Sequence, residues 1–177
     1  MRIRIGKKFV GPDDPTYVVA EAGVNHNNSL FRAKDLIRKA AAAGADAIKF
    51  QTYKAGRLTT KAAPRFWEWK GEPIKKGTQF DSYRTMDVDK FPLKHYPELI
   101  KTCKKYGIEF ISTPFDEDSA DALVKLGMKA IKVSSSDLTN LPFLTHLAKH
   151  KLPMLLSTGA STMGEIEEAV HTIEEAG

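Results

Sequence analysis

The stretch Ala43-Gly44-Ala45-Asp46-Ala47-Ile48-Lys49-Phe50-Gln51-Thr52 decides the fold. Gly44 ends a helix, residues 45–50 form an apolar strand, and Lys49 and Gln51 bring polarity where that strand finishes. The same succession recurs at Ala20-Glu21-Ala22-Gly23-Val24-Asn25-His26, Ser112-Thr113-Pro114-Phe115-Asp116, Lys132-Val133-Ser134-Ser135-Ser136-Asp137 and Ser157-Thr158-Gly159. Apolar strands that close on reactive side chains are the sequence pattern of a β/α barrel seen from the C-terminal ends of its strands.

Working outward, strands are predicted over 17–21, 45–50, 108–112, 130–133 and 153–156, the first as a run buried on both faces. Helices fall between them. Ser29 is the predicted N-cap of a helix whose inner face carries Ala33, Leu36, Ile37, Ala40 and Ala41. Tyr96, Leu99, Ile100 and Cys103 mark the next, stopped by Gly107. Asp116, Glu117 and Asp118 open a third, with Ala120, Leu123 and Val124 inside, where the macrodipole favours negative charge. Leu144, Leu147 and Ala148 define a fourth, and Thr162-Met163-Gly164-Glu165 is a capping box for a fifth. The expected class is α/β, a parallel (β/α) TIM-barrel type, incomplete at about five βα units, with an N-terminal β-hairpin. Residues 1–16 form the hairpin and lead-in, and 17–177 the first part of an eight-unit barrel. With 177 residues the chain is shorter than the roughly 250 of a whole barrel. A longer parent protein is therefore expected.

The connection over 52–92 is the irregular region, with Phe66, Trp67, Trp69, Phe80 and Tyr83 among Gly, Pro and Lys. It reads equally as a lid over substrate or an aromatic patch packed on the barrel or a subunit interface.

Net charge is +5, dispersed apart from pairs such as Lys75-Lys76 and Lys104-Lys105. No nucleic-acid motif accompanies it, so small anionic substrates are expected rather than nucleic acid. Cys103 is the single cysteine, which excludes an internal disulfide, suits a reducing compartment and reads as a buried thiol. The N-terminus has no apolar signal region and no run approaches a membrane span. A cytoplasmic protein is expected.

Lys49 and Gln51 flank Phe50 and so share one face of their strand, turned into the barrel mouth. An inward lysine suits either a Schiff base or an anion. Lys132 repeats the pattern, and Thr113, Ser135 and Ser157 bring hydroxyls from the neighbouring strand ends. One full charge ringed by neutral donors suits phosphate. Glu21 ends a strand, where a desolvated carboxylate must be hydrogen-bonded, metal-linked or catalytic. Asn25 and His26 follow on the loop, His26 as a ligand or an ordinary hydrogen-bonding residue. Asp137 is an acid or base near the phosphate or a helix cap, with Asn140 the competing cap. His95, His146, His150 and His171 are expected on helices and solvated.

These motifs resemble the sialic acid synthase family, phosphoenolpyruvate-dependent enzymes that make N-acetylneuraminate and related nonulosonates. The matching stretches are 20–27, 43–52, 110–116, Thr139-Asn140-Leu141-Pro142 and Leu156-Ser157-Thr158-Gly159. The resemblance implies a β/α barrel with a C-terminal antifreeze-like domain, absent here, in a swapped homodimer. It implies condensation of phosphoenolpyruvate with an N-acetylated amino sugar such as N-acetylmannosamine, assisted by Mn2+ or Mg2+ whose ligands lie beyond residue 177. Carried onto this chain, Lys132, Thr113, Ser135 and Ser157 hold phosphate, and Lys49 and Gln51 orient the pyruvyl carboxylate and sugar. Glu21 acts beside the metal-bound water, with Asp137 as second carboxylate. Ser134 and Ser136 stand where the family often has glycines. The 177-residue chain alone is expected to be inactive. Two other readings stay open: a Schiff-base pyruvate aldolase, and a non-catalytic half-barrel acting as an assembly partner.

Overall fold

The computed structural model describes residues 2–65 and 77–177. Alternation of Ile3 and Ile5 with arginines produces β1 (Ile3–Ile5), which pairs antiparallel with β2 (Lys8–Val10), Ile3 facing Val10. There follow β3 (Val19–Gly23), α1 (Leu30–Ala42), β4 (Ala47–Thr52), α2 (Ala55–Leu58), α3 (Gln79–Arg84) and α4 (Tyr96–Tyr106). The chain continues through β5 (Glu109–Pro114), α5 (Glu117–Lys125), β6 (Ile131–Val133), α6 (Leu141–Ala148), β7 (Met154–Leu156) and α7 (Met163–Ala176). Strands β3, β4 and β5 form one parallel sheet, and β6 and β7 a second parallel pair. β6 runs beside β5, and the described strands do not close into a barrel.

Strand faces divide the apolar residues into two layers, as period-2 alternation requires. Ile48, Phe50, Phe110, Ile131 and Val133 pack outward against Ile37, Leu99, Leu123 and Leu144 of the helices. Ala47, Ile111 and Ala130 turn inward with Ile5, and Val19 and Leu155 pack on them. The hairpin therefore plugs the N-terminal end of the strands. Asp46 fixes it there: one carboxylate oxygen meets Lys8 Nζ, and the other accepts from the Val18 amide at 2.6 Å. Ile5 is 0% exposed. Ile5→Ala should cost about 2–5 kcal/mol, read from chemical denaturation, because the strand ends cannot collapse onto the space left. A loss below about 0.5 kcal/mol would show the plug to be ornamental.

The first parallel strand differs from the sequence expectation. It begins at Val19 rather than residue 17 and extends to Gly23 with a register shift between Glu21 and Gly23. Asp46 draws the Val18 amide out of the ladder, which delays the start. This strand is also not buried on both faces: it is an edge strand of its sheet, with Val19 and Ala20 half-buried and Glu21 exposed.

Local capping chemistry places the helix starts. Ser29 accepts from Arg32 N, Asp116 from Ser119 N and Asn140 from Phe143 N, and Thr162 with Glu165 completes a capping box. The 52–92 connection carries structure of its own in α2 and α3, a Pro64–Thr78 bridge and a buried Asp87 that accepts from Ala55 N. Tyr83 of this segment meets Tyr53 edge-on at 5.6 Å, and Tyr53 meets Phe115 at 5.8 Å. Phe66, Trp67, Trp69 and the Lys75-Lys76 pair lie outside the described residues. Cys103 is buried at 1% exposure, and burial pushes its thiol up to about 12. That is an inert packing thiol.

Candidate active site

Register brings the polar residues together at the C-terminal strand ends. Glu21 of β3 is aligned with Lys49 of β4, and Gln51 of β4 with Thr113 of β5. Lys49 Nζ lies 2.6 Å from Glu21 Oε2 and donates to Thr113 Oγ1 at 3.1 Å. On the strands beyond β5, Lys132 of β6 donates to Ser157 Oγ, just past β7, and to the Val133 carbonyl. Burial and the neighbouring charge of Lys49 hold Lys132 below the ordinary lysine range, with Glu21 opposing them. Both lysines and the carboxylate thus share one electrostatic field. Two cations against one anion leave a positive excess aimed at the mouth.

Glycines set the approach of the backbone. A Cβ on Gly23, whose φ is +52°, would lie 3.1 Å from Glu21 Oε1 and 3.9 Å from the Gln51 amide. Glycine therefore both permits this turn and leaves Glu21 free to reach Lys49. Gly159 lies beside Ser135, where an added Cβ would make an ordinary contact with Ser135 Oγ at 3.7 Å. Ser135 opens a short 3-10 turn, Ser135–Asp137, in which the Ser134 and Ser136 hydroxyls pair at 2.9 Å.

Glu21, Lys49, Gln51, Thr113, Lys132, Ser135 and Ser157 are thus collected around the mouth. Glu21 is not desolvated as expected from its strand, since its side chain is 53% exposed where the mouth opens. Asn25 is exposed on the turn after β3. His26 is not brought to the mouth. It is 2% exposed and packs 4.1 Å from the Phe91 ring and 6.0 Å from Phe50, which faces the helix layer. Its Nδ1 accepts from Asn28 N at 3.1 Å, and burial lowers it to about 4. Asp137 is half-buried with Oδ2 unpartnered, and burial, opposed by Asn140, raises it to about 6. Asn140 takes the capping task at α6, which leaves the Asp137 carboxylate free of it.

Sequence reasoning placed His146 and His150 in solvent. The structure instead joins them, at 27% and 22% side-chain exposure, to Asp121 on the outer helices. Among the described residues this is the one cluster of three potential metal donors, and it is not at the mouth. The mouth residues therefore do not by themselves make up the donor set of the divalent ion implied above. A cavity of about 490 Å3 lined by Gly6, Lys7, Cys103, Glu109 and Lys129 lies at the opposite end of β5, away from this chemistry.

Parallel strands, helices on their outer side and a cationic mouth at the strand ends define an α/β protein of TIM-barrel type. The chain belongs to the NeuB family, whose match spans residues 36–177. It is 39% identical over 169 residues to the N,N'-diacetyllegionaminic acid synthase of Legionella pneumophila, covering 96% of this chain and 47% of that protein. It is 43% identical over 159 residues to the enzyme of the same name from Campylobacter jejuni, covering 89% and 46%. The chain therefore spans about half the length of the curated relatives it matches. Among solved structures, N-acetylneuraminic acid (sialic acid) synthetase from Leptospira borgpetersenii superposes with a TM-score of 0.83 at 31% identity. That match covers 99% of this chain and 56% of the other. A truncated 3-deoxy-D-arabino-heptulosonate 7-phosphate synthase from Thermotoga maritima shares the fold at a TM-score of 0.67 and 15% identity. No helix among the described residues is long and apolar enough to cross a membrane.

Proposed function

We propose that this chain supplies the phosphoenolpyruvate-binding part of a nonulosonate synthase, which condenses phosphoenolpyruvate with an N-acetylated amino sugar and releases phosphate. The observation that carries this is the pair of converging lysines, Lys49 and Lys132, which share a single carboxylate and are flanked by Thr113 and Ser157. A substrate with both a carboxylate and a phosphate matches that surplus of positive charge. The names of the relatives supply the class of product.

In this reading Lys132, with Ser157, Thr113 and Ser135, receives the phosphate. Lys49 and Gln51 orient the pyruvyl carboxylate and the sugar. The terminal methylene carbon of phosphoenolpyruvate bonds to the aldehyde carbon of the open-chain sugar, and the aldehyde oxygen takes up a proton. The cation left on the adjacent carbon, which carries the phosphate oxygen and the carboxylate, is captured by water, and the C–O bond from that carbon to phosphate breaks as phosphate departs. Glu21 at the open rim holds that water and receives its proton. Asp137, titrating near 6, is the second carboxylate. Full length, the protein acts as a cytoplasmic homodimer without nucleic-acid or membrane partners.

The test is phosphate release from phosphoenolpyruvate with manganese and a panel of N-acetylated hexosamines, using the 177-residue chain beside the full-length gene product. Release by the longer protein alone, matched by nonulosonate formation, is the expected result. Silence of the longer protein with every sugar sinks the reading. The depressed Lys132 favours one alternative, a Schiff-base aldolase. Borohydride trapping of pyruvate on Lys132 or Lys49 would then label the protein, whereas the synthase chemistry forms no imine.

A further inference from the structure

Asp121 sits on α5, His146 on α6 and His150 on the turn that follows it, all on the outer helix layer. The i,i+4 spacing turns the two imidazoles to one side of the helix, where their rings lie 5.4 Å apart at 79°. His146 Nε2 is 2.7 Å and His150 Nε2 3.0 Å from the same oxygen, Asp121 Oδ1. The three donor atoms all fall within 4.8 Å of one another. Glu117 Oε1 stands 3.9 Å from His146 Nδ1, the ring nitrogen turned away from Asp121.

We propose that Asp121, His146 and His150 form a binding site for a late first-row divalent cation, zinc foremost, that ties α5 to α6. Two imidazoles and one carboxylate are a donor set suited to zinc, copper, nickel or cobalt rather than to magnesium or calcium. Three protein ligands leave the fourth tetrahedral position to water. The partial exposure of both rings gives that water and the ion a path in. Glu117 stands on the side where metal-bound histidines commonly meet an outer carboxylate, 3.9 Å from the second ring nitrogen of His146. With neutral imidazoles the two carboxylates leave local negative charge for a dication to offset. The site lies on the outside of the strands, apart from the mouth, so it stands whether or not the synthase reading does.

The test uses the full-length protein stripped of metal, its His146→Gln, His150→Gln double variant and its Asp121→Asn variant. Zinc is titrated by calorimetry, and cobalt by its visible ligand-field absorption. The expected result is one more bound equivalent in the unaltered protein than in the double variant. A cobalt band of nitrogen–oxygen ligation should be lost in the double variant and weakened in Asp121→Asn. Zinc should also raise the melting temperature of the unaltered protein and not of the double variant. Asp121 is exposed and both rings are partly exposed, so the metal-free melting temperatures should lie close together, and Asp121→Asn keeps the local shape as a second control. Equal zinc stoichiometry and affinity in all three proteins overturns the proposal, as does an unaltered protein whose only cobalt band survives in the double variant.

Discussion

Lys132→Met should lower phosphate release by the full-length protein by about 10²–10³-fold, the usual cost of removing one preorganised charge from a developing anion. The magnitude rests on where Lys132 sits. Its ammonium is partly desolvated, beside Lys49, with Ser157 and a backbone carbonyl as its contacts. Such a charge is held at a cost that a bound anion offsets, so affinity for phosphoenolpyruvate should fall together with turnover. Lys132→Arg keeps the charge but not the compact ammonium, and should recover only part of the loss. Steady-state kinetics across phosphoenolpyruvate concentration, with circular dichroism as a control, decides the matter. A variant with unchanged kcat and KM would remove Lys132 from the site. Trapping by borohydride in the unaltered protein, lost in Lys132→Met, would move it to the aldolase reading instead.

The parts of the fold that were legible in sequence are those written in local chemistry. Ser29, Asp116 and the Thr162-Glu165 box begin helices because their side chains satisfy amides within three residues. Lys49 and Gln51 share a face because strand period is 2, and the apolar positions of 47–50 divide between two layers for the same reason. What was hidden depends on residues distant in the chain. Asp46 moved the start of β3 by capturing the Val18 amide, a contact across 28 positions. His26 went to the helix layer because Phe91, far along the sequence, provides its ring contact. His146 and His150 carried a usable signal, their i,i+4 spacing, but Asp121 joins them only through the packing of α5 on α6. At the mouth, Lys49 and Lys132 were readable singly, whereas their shared field with Glu21 needed register.

Two desolvated groups should tilt stability in opposite directions over the same acid range, and separate variants will expose them. His26 is lowered to about 4 from 6.5, so the unfolded chain takes up its proton first as pH falls. Stability from this group is present above 6.5 and is lost down to about 4, by about 3 kcal/mol for a nearly inaccessible ring. Asp137 is raised to about 6 from 3.8, so here the folded chain takes the proton first. Its contribution is fully present below 3.8 and is lost as pH rises through 6, by about 1–2 kcal/mol after allowance for solvent at this half-open site. The two slopes partly cancel in the unaltered protein. His26→Phe, in a pocket already lined by Phe50 and Phe91, should abolish the acid loss, so that its stability relative to the unaltered protein improves steadily from pH 7 to 4.5. Asp137→Asn should be the more stable protein above pH 6, with that advantage vanishing towards pH 4. Denaturant melts of the three proteins at pH 7.5, 6, 5 and 4.5 read these differences directly, since every other titrating group is common to them. Parallel stability curves for all three would mean that neither site is buried as described. An Asp137→Asn variant that gains stability above pH 6 while losing activity would identify a carboxylate held in an unfavourable place for the sake of chemistry.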